Sequence, residues 1–317
     1  MSGLLGAALL TSATCLRPLP PRFLSLTRKA STTSLSSSTM PLSLNSSNEA
    51  SYRGTLHSAG KETPLSVTKC FEDNYGYLIP GRNSGDVISF DAPDGLVVGE
   101  AANELAFGSN GGTLHVLVTH GHHDHVGGMS DLIASWLAGG DGRKVKVHGP
   151  SDPRCESSVG GGCGYEILEG GDVRDVAGWG VEVIDTSGHT CPHVSYHIPE
   201  LNFLMTGDSL FSLGCGRVFE GSMEEMWEGL RRYGGVGDGT WVACSHEYTL
   251  ANARYMQSLG PNAELEERVR EVEALRFKNL PSVPVRMESE RRLNAFLKAD
   301  SKEEFEALRR GKDGFKG

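Results

Sequence analysis

Seven consecutive residues, Thr119-His120-Gly121-His122-His123-Asp124-His125, put four imidazoles and a carboxylate at one point of the chain. They follow the apolar run Leu114–Val118 and precede Gly127-Gly128 and a helix-like run from Ser130 to Leu137. The run before them is short and reads as a buried strand. A ligand-rich loop at a strand's carboxyl end can aim side chains into one cleft. His120 and His122, two residues apart, point the same way along an extended segment. Asp124 and His125 form a second pair, and His123 points away. Imidazoles and a carboxylate without thiolate suit zinc, iron or manganese. A lone histidine would read as a hydrogen-bonded core residue; this density reads as a metal loop.

Three further candidates sit at strand ends. His189 follows Val181–Ile184, Asp208 follows Phe203–Met205, and His246 follows Trp241–Cys244. Each lies beside a small residue that permits close approach. With the loop they give five histidines and two aspartates at one sheet edge. That set exceeds the four to six or so donors of one ion and suits two ions sharing a carboxylate.

The rest of the chain frames this edge. Leu65–Phe71 and Tyr75–Ile79 read as strands meeting at Glu72-Asp73-Asn74, and Val87–Phe90 as a strand closed by Asp91. Val194–Ile198 and Phe203–Met205 flank a hairpin turn. Ser222 and Glu225 form a capping box that opens a helix through Tyr233. Met223, Met226, Trp227 and Leu230 fall at helical spacing and read as core. After His246 the strands stop: Leu250–Leu259, a segment from Asn262 to about Lys278, and one from Ser301 to Arg310 read as helices. Strands with intervening helices indicate a mixed α/β sandwich.

Charge excludes other classes. The 317 residues carry 40 acidic and 30 basic side chains, a net charge of -10, against a general nucleic-acid binder. No run approaches the 18 or so apolar residues that span a bilayer. Seven cysteines without a C-x-x-C pair fit reduced thiols rather than a disulfide scaffold. Residues 1–48 hold Arg17, Arg22, Arg28 and Lys29, no acid, and many serines. That composition predicts an organelle-targeting leader. The mitochondrial matrix is the first expectation; a plastid, or the cytosol from a start at Met40, are alternatives.

The order T-H-x-H-x-D-H, His, Asp, His resembles the metallo-β-lactamase superfamily. Finer segments resemble glyoxalase II, the hydroxyacylglutathione hydrolases: Glu72-Asp73-Asn74-Tyr75, Thr206-Gly207-Asp208-Ser209-Leu210-Phe211, Gly214-Cys215-Gly216-Arg217, Phe219-Glu220-Gly221, His246-Glu247-Tyr248-Thr249 and Leu308-Arg309-Arg310-Gly311-Lys312-Asp313. The resemblance spans residues 63–317. It implies an αββα sandwich over 63–245 and a helical glutathione-binding domain over 246–317. His120, His122 and His189 would hold one divalent ion; Asp124, His125 and His246 would hold the other. Asp208 and a hydroxide would bridge them, zinc being the first choice and iron or manganese the alternatives. The hydroxide would attack the thioester carbonyl of S-D-lactoylglutathione, giving D-lactate and glutathione, the hydrolytic step of methylglyoxal detoxification.

The resemblance also assigns supporting residues. His193 would orient a ligand from behind or serve as a core histidine. Arg309 and Lys312 would meet the glycine carboxylate of glutathione, with Arg217 and Tyr248 as further contacts. Phe219 replaces a common tyrosine, and Asn294-Ala295-Phe296 departs from Asn-Pro-Phe. His57, His115, His148 and His197 read as ordinary. The expected partner is a small glutathione thioester, with no nucleic acid or membrane and a monomeric chain. A one-iron glutathione-persulfide dioxygenase and a non-enzymatic binding protein on the same fold are the alternatives; nuclease and β-lactam hydrolase readings fit the superfamily motif, but the acidic body and the glutathione-type tail count against both.

Overall fold

The computed structural model of the protein describes residues 42–48, 50–58, 60–109 and 111–317. Two sheets face one another, and helices cover both outer faces. The first sheet holds eight strands in sequence order: Asn45–Asn48, Ser51–Ser58, Lys61–Cys70, Asn74–Pro80, Val87–Phe90, Gly112–Leu117, Arg143–Gly149 and Tyr165–Ile167. Pairing is antiparallel up to Val87–Phe90 and parallel beyond it. Parallel neighbours need crossovers, and the helices Gly95–Leu105 and Met129–Ala138 provide two of them. In the second sheet the order is Val285–Arg286, Trp241–Cys244, Phe203–Gly207, Val194–Ile198, Trp179–Asp185 and Val173–Val176.

Side-chain alternation builds the layers. Leu117 faces the second sheet among Tyr77, Phe90, Tyr196 and Phe203. Leu114, Val116 and Val118 point the other way, beneath Val98, Met129 and Trp136 of the two crossover helices. A third apolar cluster joins Leu204 and Val242 to Met226, Tyr255, Phe296 and Phe305 of the later helices. Each fully buried side chain of this size contributes about 1.5–3 kcal/mol relative to exposure.

Most expected elements are present, with shifted ends. The hairpin pairs Tyr196 with Met205. The Ser222–Glu225 capping box has both of its hydrogen bonds. Ser301 caps the last helix, but Glu304 turns to the Asp300 N–H instead of reciprocating. Several elements exceed the expectation. The expected leader over 1–48 and catalytic unit from 63 leave out part of the sandwich: Leu42 and Leu44 are buried and Asn45–Asn48 opens the first sheet. The rest of the predicted leader lies outside the described residues. The helix Gly95–Leu105 is not among the expected elements; its first residue is a glycine that permits close approach, since a Cβ would sit 2.0 Å from the Gly128 carbonyl. The boundary at 246 is also crossed. Val285–Arg286 returns from the helical tail to pair with Trp241–Cys244, so strands do not stop at His246.

Candidate metal centre

The ligand loop is anchored before it begins. Asp91, buried in the left-handed region at φ +59°, accepts the Thr119 N–H at 2.7 Å and the Thr119 hydroxyl at 2.9 Å. The same carboxylate lies 2.8 Å from His125 Nδ1, so one side chain fixes both ends of the loop. Thr119 Oγ1 lies 3.0 Å from His120 Nδ1. A single helical turn, His123–Val126, reverses the chain and brings the rings of His120 and His125 to 4.0 Å between centroids. His123 is exposed, away from the cleft.

Three loops of the second sheet complete the site. His189, Asp208 and His246 follow Trp179–Asp185, Phe203–Gly207 and Trp241–Cys244. Gly207 adopts φ +54°, and a Cβ there would lie 2.9 Å from His193 and Thr119, so only glycine admits Asp208 to the cleft. Carboxylate oxygens of Asp208 lie 3.4 Å from Nε2 of His125, His189 and His246 alike. His246 Nε2 is 3.4 Å from Asp124 Oδ2, and His189 Nε2 is 3.1 Å from His122 Nδ1. All seven expected ligands therefore converge. Their ligand atoms form three overlapping groups, each within 4.8 Å: His120, His122 and His189; His120, His125 and Asp208; Asp124, His125 and His246.

The donor set fits cations. His120 Nε2, His125 Nε2 and Asp208 Oδ1 are buried with no hydrogen-bond partner. His125 Nε2 and Asp208 Oδ1 face each other without the alignment a hydrogen bond needs. Each bare buried polar atom costs about 1–3 kcal/mol. Cations among them would satisfy all three. The charges point the same way. Burial alone would lower the pKa of His125, but Asp208 and Asp91 outweigh it and raise it to about 10. His246 behaves alike: burial opposes, and Asp208, Asp124 and Asp73 raise it further. Burial would raise Asp208, but His246 and His125 hold its carboxyl well below the ordinary range. A carboxylate-rich pocket of this kind attracts a cation, which displaces protons from the imidazoles it meets.

Behind the ligands lies a second set of partners. His246 Nδ1 is 2.9 Å from Asp73 Oδ1, and His189 Nδ1 donates to the Arg217 carbonyl at 2.7 Å. His193 is fully buried, 2.8 Å from the Thr186 hydroxyl through Nδ1, and accepts the Asp208 backbone N–H at Nε2 at 3.2 Å. It also stacks beside His120 at 4.8 Å, so it orients from behind while being a satisfied core histidine. Asp91 and Asp73 were not assigned roles from the sequence. Their signals were a strand-closing acid and an acid in the turn before Asn74.

The expected substrate residues ring the mouth unevenly. Tyr248 stacks on His246 at 4.7 Å and is partly exposed. Phe219, largely exposed, edges His122 and His189 at 6.0 and 5.3 Å. Arg217 lies over the Phe219 ring and reaches Asp313 at 3.2 Å. Lys312, half-buried, donates to the Ala251 carbonyl. Arg309 departs from the open contact expected of it. It is buried, and its guanidinium donates to the Cys215 carbonyl at 2.9 Å and to Asp313 at 3.0 Å.

Comparison with known proteins decides the family. Residues 112–246 match the metallo-beta-lactamase superfamily, and residues 247–315 match the hydroxyacylglutathione hydrolase C-terminus. The chain is 36% identical over 260 residues to the hydroxyacylglutathione hydrolase of Erythrobacter litoralis, covering 78% of this chain and 97% of that protein. The chain belongs to the hydroxyacylglutathione hydrolase family. A hydroxyacylglutathione hydrolase of Rhodopseudomonas palustris is 37% identical, covering 74% of this chain and 87% of its own. Two solved structures share the fold of this hydroxyacylglutathione hydrolase family member. ETHE1 from Myxococcus xanthus has a TM-score of 0.52 at 22% identity, covering 77% of this chain and 89% of that one. A metallo-beta-lactamase from Staphylococcus aureus has 0.51 at 18%, covering 77% and 65%.

Proposed function

We infer that the protein hydrolyses S-(2-hydroxyacyl)glutathione thioesters, with S-D-lactoylglutathione as the first substrate, to a 2-hydroxy acid and glutathione. One observation carries this reading: seven histidine and aspartate ligands converge, with bare buried donor atoms, beside a tail matched by the family's own C-terminal model. His120, His122 and His189 would hold one ion, Asp124, His125 and His246 the second, and Asp208 would face both. Zinc is the first choice and iron or manganese the alternatives, because the donors are nitrogen and oxygen only. Two such ions would supply hydroxide near neutral pH and polarise the thioester carbonyl.

The chain's own groups do the rest. His193 holds the Asp208 backbone, and Asp91 and Asp73 hold the outer nitrogens of His125 and His246, fixing which atoms face the cleft. Tyr248, Arg217, Phe219 and Lys312 are the groups that would meet the tripeptide, and Arg309 would hold the Cys215 turn rather than the substrate. Hydrolysis forms a carbon–oxygen bond and breaks the carbon–sulfur bond, and the glutathione thiolate leaves without needing a protein acid. The match of residues 247–315 to the hydroxyacylglutathione hydrolase C-terminus favours this over the persulfide dioxygenase reading.

Metal content and turnover of S-D-lactoylglutathione are to be measured on one sample of the full chain. Two ions per chain with turnover is the expected result. One iron per chain with negligible turnover removes the thioesterase reading and makes persulfide oxidation the leading assay. A mitochondrial matrix location is proposed from the basic, acid-free composition of residues 1–48. Residues 1–48 fused to a fluorescent protein should reach mitochondria; a purely cytosolic signal rejects it.

A further inference from the structure

We propose that Glu220 is a positioning residue for His122, held in place by a clamp formed of Arg154 and Asp152. The proposal rests on the dinuclear reading above. His122 presents Nδ1 to the cleft, 3.1 Å from His189 Nε2. Its other nitrogen, Nε2, lies 3.3 Å from Glu220 Oε1. A carboxylate on the outer nitrogen fixes the imidazole tautomer, leaving the inner lone pair free for a cation. Among the ligand histidines, His122 most needs such help, because it is only half-buried while His120, His125, His189 and His246 are buried.

Glu220 is itself held. Arg154 donates to both of its carboxylate oxygens, at 2.6 Å through Nη1 and 2.9 Å through Nη2. Two parallel bonds of this kind fix orientation as well as position. The other side of the same guanidinium grips Asp152, with Nε 3.0 and 3.1 Å from the two oxygens and Nη2 at 2.7 Å. Asp152 is buried and also caps the helix Pro153–Ser158 through the Arg154 N–H, so it gives the chain of contacts a fixed base. The clamp passes directly beneath the metal loop. A Cβ on Gly121 would meet Asp152 Oδ2 at 2.7 Å and Arg154 Nε at 2.8 Å. The glycine between His120 and His122 is therefore the gap through which the clamp reaches His122. Three chain segments, around residues 121, 152 and 220, converge on one ligand.

The test uses the zinc-loaded full chain and an excess of a chelating dye, with ion release followed by absorbance. Glu220→Ala is expected to release one of its two ions about 10- to 100-fold faster than the parent, and the other at the parental rate. Glu220→Gln, whose amide oxygen still accepts from Nε2, should recover most of the difference. Arg154→Met, which keeps the stem and loses the fork, should move the same ion in the same direction by less. The metal-free melting temperature of the two Glu220 variants should match the parent, which separates positioning from general loosening; Arg154→Met also strips buried Asp152 of its partner, so its melting temperature is expected to fall. Parental release rates in Glu220→Ala, or equal acceleration of both ions, would overturn the proposal while leaving the dinuclear reading standing. A parent chain that retains no zinc would overturn that reading and this proposal together.

Discussion

The strand Gly112–Leu117 and its loop carry histidines of two kinds. His115 is buried against His148 of the neighbouring strand, rings parallel at 5.5 Å and nitrogens 3.2 Å apart, and His148 Nδ1 meets Glu166 at 3.0 Å. Five residues on, His120 is fully buried, yet its Nε2 touches no partner. Both places are dense in imidazole. In one, the nitrogens facing the neighbours are spent on one another and on an exposed acid, a hydrogen-bonded stack. In the other, bare nitrogens and a bare carboxylate oxygen face a common space. Unpartnered atoms, rather than the number of histidines, mark the site.

The largest test of this contrast is Asp208→Asn, which weakens the one group facing three imidazoles. Loss of at least one ion and about 10³-fold in turnover is expected, equivalent to roughly 4 kcal/mol of barrier. Retention of both ions and a tenth of the activity would break the contrast at its centre. Removing the ions with a strong chelator should reduce hydrolysis to background, and adding back zinc, iron or manganese should restore it; unchanged turnover in the stripped protein would show that the convergence serves another purpose. Asp91→Asn should weaken ion retention by about 10- to 100-fold through the loss of charge behind His125, read by competition with a chelator.

The smallest effect belongs to the other pair. His115→Leu should leave ion content and turnover within about twofold of the parent, and an ion deficit in that variant would erase the distinction. Its signature is instead in acid stability. Burial and then the facing His148 push His115 from 6.5 down to about 4. The unfolded chain takes up that proton below 6.5 and the native one does not, so this stability is complete above 6.5 and falls as pH drops toward about 4. The metal-free parent should therefore lose roughly a few degrees of melting temperature between pH 6.5 and 5 that the variant keeps.

The ligands are legible in two ways: at His120, His189, Asp208 and His246 a strand ends and small residues lead to the ligand, while His122, Asp124 and His125 stand out by the density of the loop. The sandwich is legible in the first way, since Val87–Phe90, Val194–Ile198 and Trp241–Cys244 begin and end where their apolar runs do. The supporting layer is not. Asp73 meets His246 across 173 positions and Asp91 meets His125 across 34, pairings that depend on which strands become neighbours. The resemblance assigns Arg309 to a substrate carboxylate; here the tail folds against the turn around Cys215, and its carbonyl takes the guanidinium inward. Edge strands such as Tyr165–Ile167 and Val285–Arg286 are too short to leave a periodic signature.

The strand Val285–Arg286 has a consequence for how the chain is assembled during synthesis. It borders Trp241–Cys244, and one residue earlier the Pro284 carbonyl accepts the N–H of Leu42 at 2.9 Å. The beginning of the sandwich is thus fastened to a segment that leaves the ribosome more than two hundred residues later. At about 5–20 residues per second, the metal loop emerges many seconds before the sheet beside it can be completed. A nascent chain paused short of residue 284 would expose the apolar edge of Trp241–Cys244 and leave the segment at Leu42 unfastened, which makes emergence of Pro284–Arg286 a checkpoint for the whole sandwich.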